Sequence, residues 1–163
     1  MKPVTSFRVY PGRKRSGLYV EVRVFRTARY LREVVTRENR EAGLRQSHRR
    51  TLGAMQTFTR IHVPTSGPRR TRPVFGRVNL LVGRLGVQVV THEFMHATFA
   101  WSDRVGAWSE LTGQAPGGER TMGTEERCCH AHSNMVRAFY DRAFALGLCE
   151  TTTPGERSAE ARP

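Results

Sequence analysis

Lysine is nearly missing from this chain: of its 27 basic residues only Lys2 and Lys14 are not arginine. Acid is missing from the front, where no aspartate precedes Asp103. Twenty basic residues against four glutamates leave residues 1–84 at +16, and seven arginines against ten acids put 85–163 at −3. Cysteine is scarce and odd in number (Cys128, Cys129 and Cys149), which excludes the paired framework of a small secreted domain. No apolar run approaches the roughly 18–20 residues that span a bilayer. Met1–Tyr10 carries no apolar signal segment, so the expectation is a cytoplasmic protein without a membrane anchor. There is no internal repeat. With 163 residues and 38% hydrophobic content, the chain is the size of one domain with one core. We expect that domain to fill residues 1–149 and the polar tail 150–163 to be disordered.

The arginine-rich half has two readings. It is a surface for an anionic partner, nucleic acid or an acidic protein, or it is a compositional bias on a solvated face. The arginines are scattered and few aromatics lie among them, so composition alone does not decide.

Alternation marks the strands. Residues 4–10 read as one, and 17–25 as its hairpin partner, with Leu18, Val20, Val22 and Val24 on one face. Pro11–Gly17 between them is a turn. Residues 27–42 carry Ala28, Leu31, Val34 and Val35 at helical spacing and form an amphipathic helix. Residues 54–63 alternate again around Met55, Ile61 and Val63. Thr65–Pro73 is a loop, and 74–82 is a further strand.

Two helices follow. The first spans about Leu85 to Trp101 and is apolar on all sides, which predicts burial in the middle of the domain. Residues 102–124 form a long Gly/Ser/Thr-rich connection. The second helix opens near Thr124, a candidate N-cap, and ends at Gly147, a candidate C′ glycine. Met135, Val136, Phe139, Tyr140, Ala143 and Phe144 make its packing face.

The first of these helices reads Val90-Thr91-His92-Glu93-Phe94-Met95-His96-Ala97, which is H-E-x-x-H. His92 and His96 are four apart, so both imidazoles leave one side of the helix and can reach one ion. Glu93 sits about 100° round the helix, beside that ion but not on it. Zinc lowers the pKa of a bound water to about 7, within reach of a carboxylate base. Chance produces the pattern in about 1–2% of shuffled sequences of this composition.

A catalytic zinc needs a third protein ligand and an open position. Thr124-Glu125-Glu126-Arg127-Cys128-Cys129-His130-Ala131-His132 offers candidates. Glu126 has the small residues Cys129 and Ser133 at +3 and +7, which permit close helix approach. Glu125 is in phase with His132, Phe139 and Ala143. Helical phase does not choose between them. Cys128 and Cys129 diverge by about 100°, so one ion does not take both thiolates. His48 and His62 show no partner.

A strand, H-E-x-x-H on a helix, and a glutamate near the start of a second helix resemble the gluzincin type of zinc metallopeptidase. The chain is most similar to the small single-domain versions carried by phages and mobile elements. Val78–Trp101 and Glu125–Tyr140, roughly a quarter of the chain, carry the resemblance. It implies an α+β, zincin-like fold, with a small mixed sheet packed on the H-E-x-x-H helix and a second helix completing the site. It implies Zn2+ held by His92, His96 and Glu126, and Glu93 as general base in peptide-bond hydrolysis. Glu126 is selected because the family's third ligand has a small residue three positions on. The family places an acid or Asn four after that ligand to orient a ligand histidine; here that position is His130. Apart from the resemblance, His130 reads as a surface residue or such an orienting partner, and His132 as a residue at the edge of the core, an oxyanion donor or an alternative ligand. The strand before the metal helix, residues 74–82, is the expected sheet edge for an extended protein or peptide substrate. The competing expectation is a non-catalytic, zinc-stabilised binding module whose basic half docks on nucleic acid or an acidic protein.

Overall fold

The computed structural model describes residues 2–12, 17–41, 53–57, 73–107 and 122–149. They form a mixed α+β fold with four strands and three helices: β1 (Thr5–Val9), β2 (Tyr19–Phe25), α1 (Ala28–Glu41), β3 (Gly53–Thr57), β4 (Val74–Leu81), α2 (Val87–Arg104) and α3 (Met122–Ala145). Residues 65–72 of the loop expected at 65–73, most of the 54–63 strand and the C-terminal tail lie outside the described residues, as does 108–121 of the connection before α3.

The sheet order is β1-β2-β4-β3. β1 and β2 pair antiparallel, as the alternation predicts, with Phe7 opposite Val22. β2 and β4 run parallel, and β3 is antiparallel to β4. This corrects one expectation. Residues 74–82 are not the sheet edge, because β4 is paired on both sides; among the described residues the edge beside α2 is β3. The sequence of β4 explains why. Phe75, Val78, Asn79, Leu80 and Leu81 are buried on both faces, as suits an interior strand.

Each face of the sheet has its own cover. Val20, Val22, Val24, Val78 and Leu80 pack with Val90, Phe94 and Ala97 of α2 and Met135, Phe139 and Ala143 of α3. On the opposite face Leu31, Val34 and Val35 of α1 close over Phe25, Ala54 and Leu81. A polar seam shares that second face. Arg77 donates to Glu21 at 2.7 Å, Arg23 donates to Glu38 at 2.8 Å, and Gln56 joins Asn39 to Asn79. Burial alone would raise the Glu21 carboxyl, but the hydrogen bond and charge of Arg77 and the charge of Arg23 outweigh it and hold it low.

Phe139 is the hub of the larger core. Its ring lies 6.0 Å from Phe7, 5.7 Å from Phe94 and 5.2 Å from Tyr140, centroid to centroid. Truncating a fully buried aromatic removes its burial and leaves a cavity, so Phe139→Ala is expected to lower unfolding free energy by about 3–5 kcal/mol. A loss of under about 1 kcal/mol by denaturant unfolding would show that the core closes differently.

Two helices differ from expectation. α2 runs on to Arg104 and is not buried all round: Met95 and Phe99 are 40% and 44% exposed, and Val87 more so. The sheet and α3 cover only the Val90/Phe94/Ala97 side. α3 begins at Met122, so Thr124 is a buried residue inside its first turn rather than the N-cap. Gly147 has φ 64°, in the left-handed region where glycine ends a helix without strain.

Candidate metal centre

His92 and His96 stand on the exposed face of α2. Their Nε2 atoms are 3.2 Å apart and their rings are perpendicular. Two nitrogens bound to one tetrahedral zinc at about 2.0–2.1 Å lie about 3.3 Å apart, so the pair already has the spacing of two ligands. Without an ion, one Nε2 must donate and the other accept. Burial, and then the neighbouring His92, push His96 below the usual imidazole range. A neutral ring is the form that binds metal. Exposure of both rings leaves room for water and substrate.

Glu93, about 100° round α2 from His92, lies against Gly53 of β3 and is 7% exposed. Its carboxylate accepts the backbone N–H of Met55. Burial raises its pKa, against which the charge of His92 and the Met55 hydrogen bond pull it down; the net direction is up. The side chain lies directly on Gly53. A Cβ there would come within 2.9 Å of Glu93 Cγ and 3.0 Å of Oε1. β3 register places Gly53 opposite Leu80 and Met55 opposite Val78, on the sheet face that α2 covers. Gly53 and Met55 were missed as site residues. The available signal was a glycine opening a strand, which marks close approach of another group.

The structure does not bring Glu125 or Glu126 to the histidines. Both are exposed, and Glu126 Oε1 instead meets His130 Nε2 at 2.9 Å. His130 is therefore engaged with Glu126 rather than orienting a ligand histidine. The helix register explains the separation. His132 of α3 meets Thr98, and Tyr140 donates to the Leu85 carbonyl, so α2 and α3 run antiparallel. Glu126 lies six residues before His132, and His96 lies two before Thr98. At 1.5 Å per residue that puts them about 12 Å apart along the helix axis. Among the described residues, no third His, Cys, Asp or Glu joins the pair around an ion-sized centre.

His132 also has a defined role in the packing. The Thr98 hydroxyl donates to the Phe94 carbonyl at 2.9 Å, so towards His132 its oxygen accepts. The Nδ1 of His132, 3.3 Å away, is then the protonated nitrogen. Tyr140 sits in the core, as its helical position suggested.

Five of the described arginines have partners that bear on the fold. Arg23 and Arg77 lie in the polar seam, Arg29 and Arg37 pair with Glu33 and Glu41 one turn on, and Arg8 lies 4.6 Å over the Tyr19 ring. The arginine-rich stretches 13–15, 45–50 and 69–72 lie outside the described residues. Among the described residues no helix is long and apolar enough to cross a membrane. Compared with known proteins, the chain matches no family model, no curated protein and no solved structure.

Proposed function

We propose that this chain is a zinc-dependent peptidase whose centre is built on His92, His96 and Glu93. The observation that carries the reading is the pair of Nε2 atoms 3.2 Å apart on an open helix face, with a buried carboxylate one residue away. His92 and His96 would supply two of the protein ligands that a catalytic zinc needs, and among the described residues no third joins them. Bound there, zinc supplies an acidified water and a Lewis acid for the scissile carbonyl. Glu93 takes the proton of the attacking water on the carboxylate oxygen that Met55 leaves free. It then delivers that proton to the departing amine. Met55 and the Gly53 backbone hold the carboxylate so that the transfer needs no rearrangement. β3 is the strand at the sheet edge beside Glu93, and an extended peptide lies along it by strand addition. The Met95 and Phe99 side chains flank the histidines on the α3 side and meet the substrate's apolar side chains.

Glu126 does not enter this reading as a ligand, because its carboxylate is exposed and bonded to His130. The test is zinc binding by equilibrium dialysis together with cleavage of a mixed peptide library. We expect one zinc per chain and cleavage that stops on chelation and returns with zinc. We expect Glu126→Ala to change zinc affinity by less than about tenfold, as for a residue outside the ligand set. A loss of more than about 100-fold in that variant would return Glu126 to the ligand set. Failure to bind zinc would overturn the proposal.

A further inference from the structure

We infer that Gly53 is a positioning residue for Glu93: the absence of a side chain at this position is what lets the base lie on β3 and take the Met55 N–H. The inference deepens the peptidase reading and rests on it for its kinetic consequence. Its structural basis stands apart from that reading, in the contact between β3 and α2.

The argument begins with space. A methyl group at position 53 would fall 2.9 Å from Cγ, 3.0 Å from Oε1 and 3.2 Å from Cδ of Glu93. Three atoms of one side chain are affected, and no other residue is among the nearest. Something must shift, and the atoms that shift belong to the proposed base. Glu93 is 7% exposed and Val90, Phe94 and Ala97 fix the helix beneath it, so α2 itself does not give way. The carboxylate is the part that moves.

Direction follows from the hydrogen bond. Among the described residues β3 pairs with β4 alone, and its Met55 N–H bonds the Glu93 carboxylate. A fixed donor on rigid backbone holds one carboxylate oxygen and leaves the other for proton transfer. Lifting the carboxylate off Gly53 breaks that bond and shifts both oxygens. Displacement of a reacting group by about 1 Å costs on the order of 100-fold in rate.

The test uses the full chain with Gly53→Ala, Glu93→Ala, Glu93→Gln and the double variant Gly53→Ala/Glu93→Gln. In metal-free protein the Met55 amide proton is followed by NMR. Its resonance in Glu93→Ala defines the unbonded position, and Gly53→Ala is expected to move it to that position. With zinc, Gly53→Ala is expected to bind the metal within about threefold of the parent and to lose kcat about 100-fold, with KM changed less than about threefold. In the Glu93→Gln background the same alanine is expected to cost no further activity, since its effect passes through the base. Should Gly53→Ala not fold, Gly53→Ala/Glu93→Ala replaces it. Removing every Glu93 atom beyond Cβ frees the space for the methyl group, so this variant is expected to fold with the Tm of Glu93→Ala, and a lower Tm overturns the inference. An unmoved Met55 resonance, or an equal loss of kcat in both backgrounds, overturns the inference. If zinc-dependent cleavage itself is absent, the peptidase reading fails, and the NMR result alone decides whether Gly53 seats Glu93.

Discussion

Alanine at His92 or His96 is expected to lower zinc affinity by more than about 100-fold, and alanine at both to abolish stoichiometric binding. Partners that merely orient a ligand typically cost 10–100-fold when removed, so a ligand itself must cost more. The fold should barely respond. Both rings are exposed, and their mutual contact is the one hydrogen bond they lose, so unfolding free energy should stay within about 0.5 kcal/mol of the parent. The combination distinguishes a surface metal centre from a packing role. Competition with a chromophoric chelator measures the first quantity and chemical denaturation the second. A double-alanine variant that retained tight zinc binding would move the metal elsewhere. One that unfolded would make the pair structural.

Glu93→Gln is expected to leave zinc binding in place and to lower hydrolysis by about 10²–10⁴-fold, the range carried by a general base. Glutamine has the same shape and still accepts the Met55 N–H, so position is kept while proton affinity is lost. Full activity in this variant would remove Glu93 from the chemistry. The same substitution has a stability signature in metal-free protein. Burial holds the Glu93 carboxyl above its ordinary range, so the folded state binds that proton more tightly than the unfolded chain. Its contribution is fully present below the unfolded pKa and is lost as pH rises through the folded one. Glutamine removes that dependence.

What the sequence disclosed depended on whether the signal was local. The spacing of His92 and His96 states which side of a helix they share, and the structure places their Nε2 atoms together. Alternation in Tyr19–Phe25 and periodicity in Ala28–Glu41 likewise reflect a single buried face, and both elements form where expected. Burial of α2 was misjudged because Met95 and Phe99 are apolar whether or not a neighbour covers them. The edge strand was misassigned because edge status depends on which strands come to lie alongside, a property of chain topology. β4 carried a usable clue in its apolar residues on both faces. Glu126 had a suitable neighbour at +3, but antiparallel register between α2 and α3 separates it from the pair, and register is set by contacts such as Thr98–His132 and Leu85–Tyr140.

β3 lies at the margin of the described sheet, and the margin of a sheet is where identical chains can zip together. The strand proposed to take an extended substrate is thus also a template for self-association, so copies of the chain compete with substrate for it as concentration rises. Preparations therefore call for dilute handling and a check of particle size before any rate is compared.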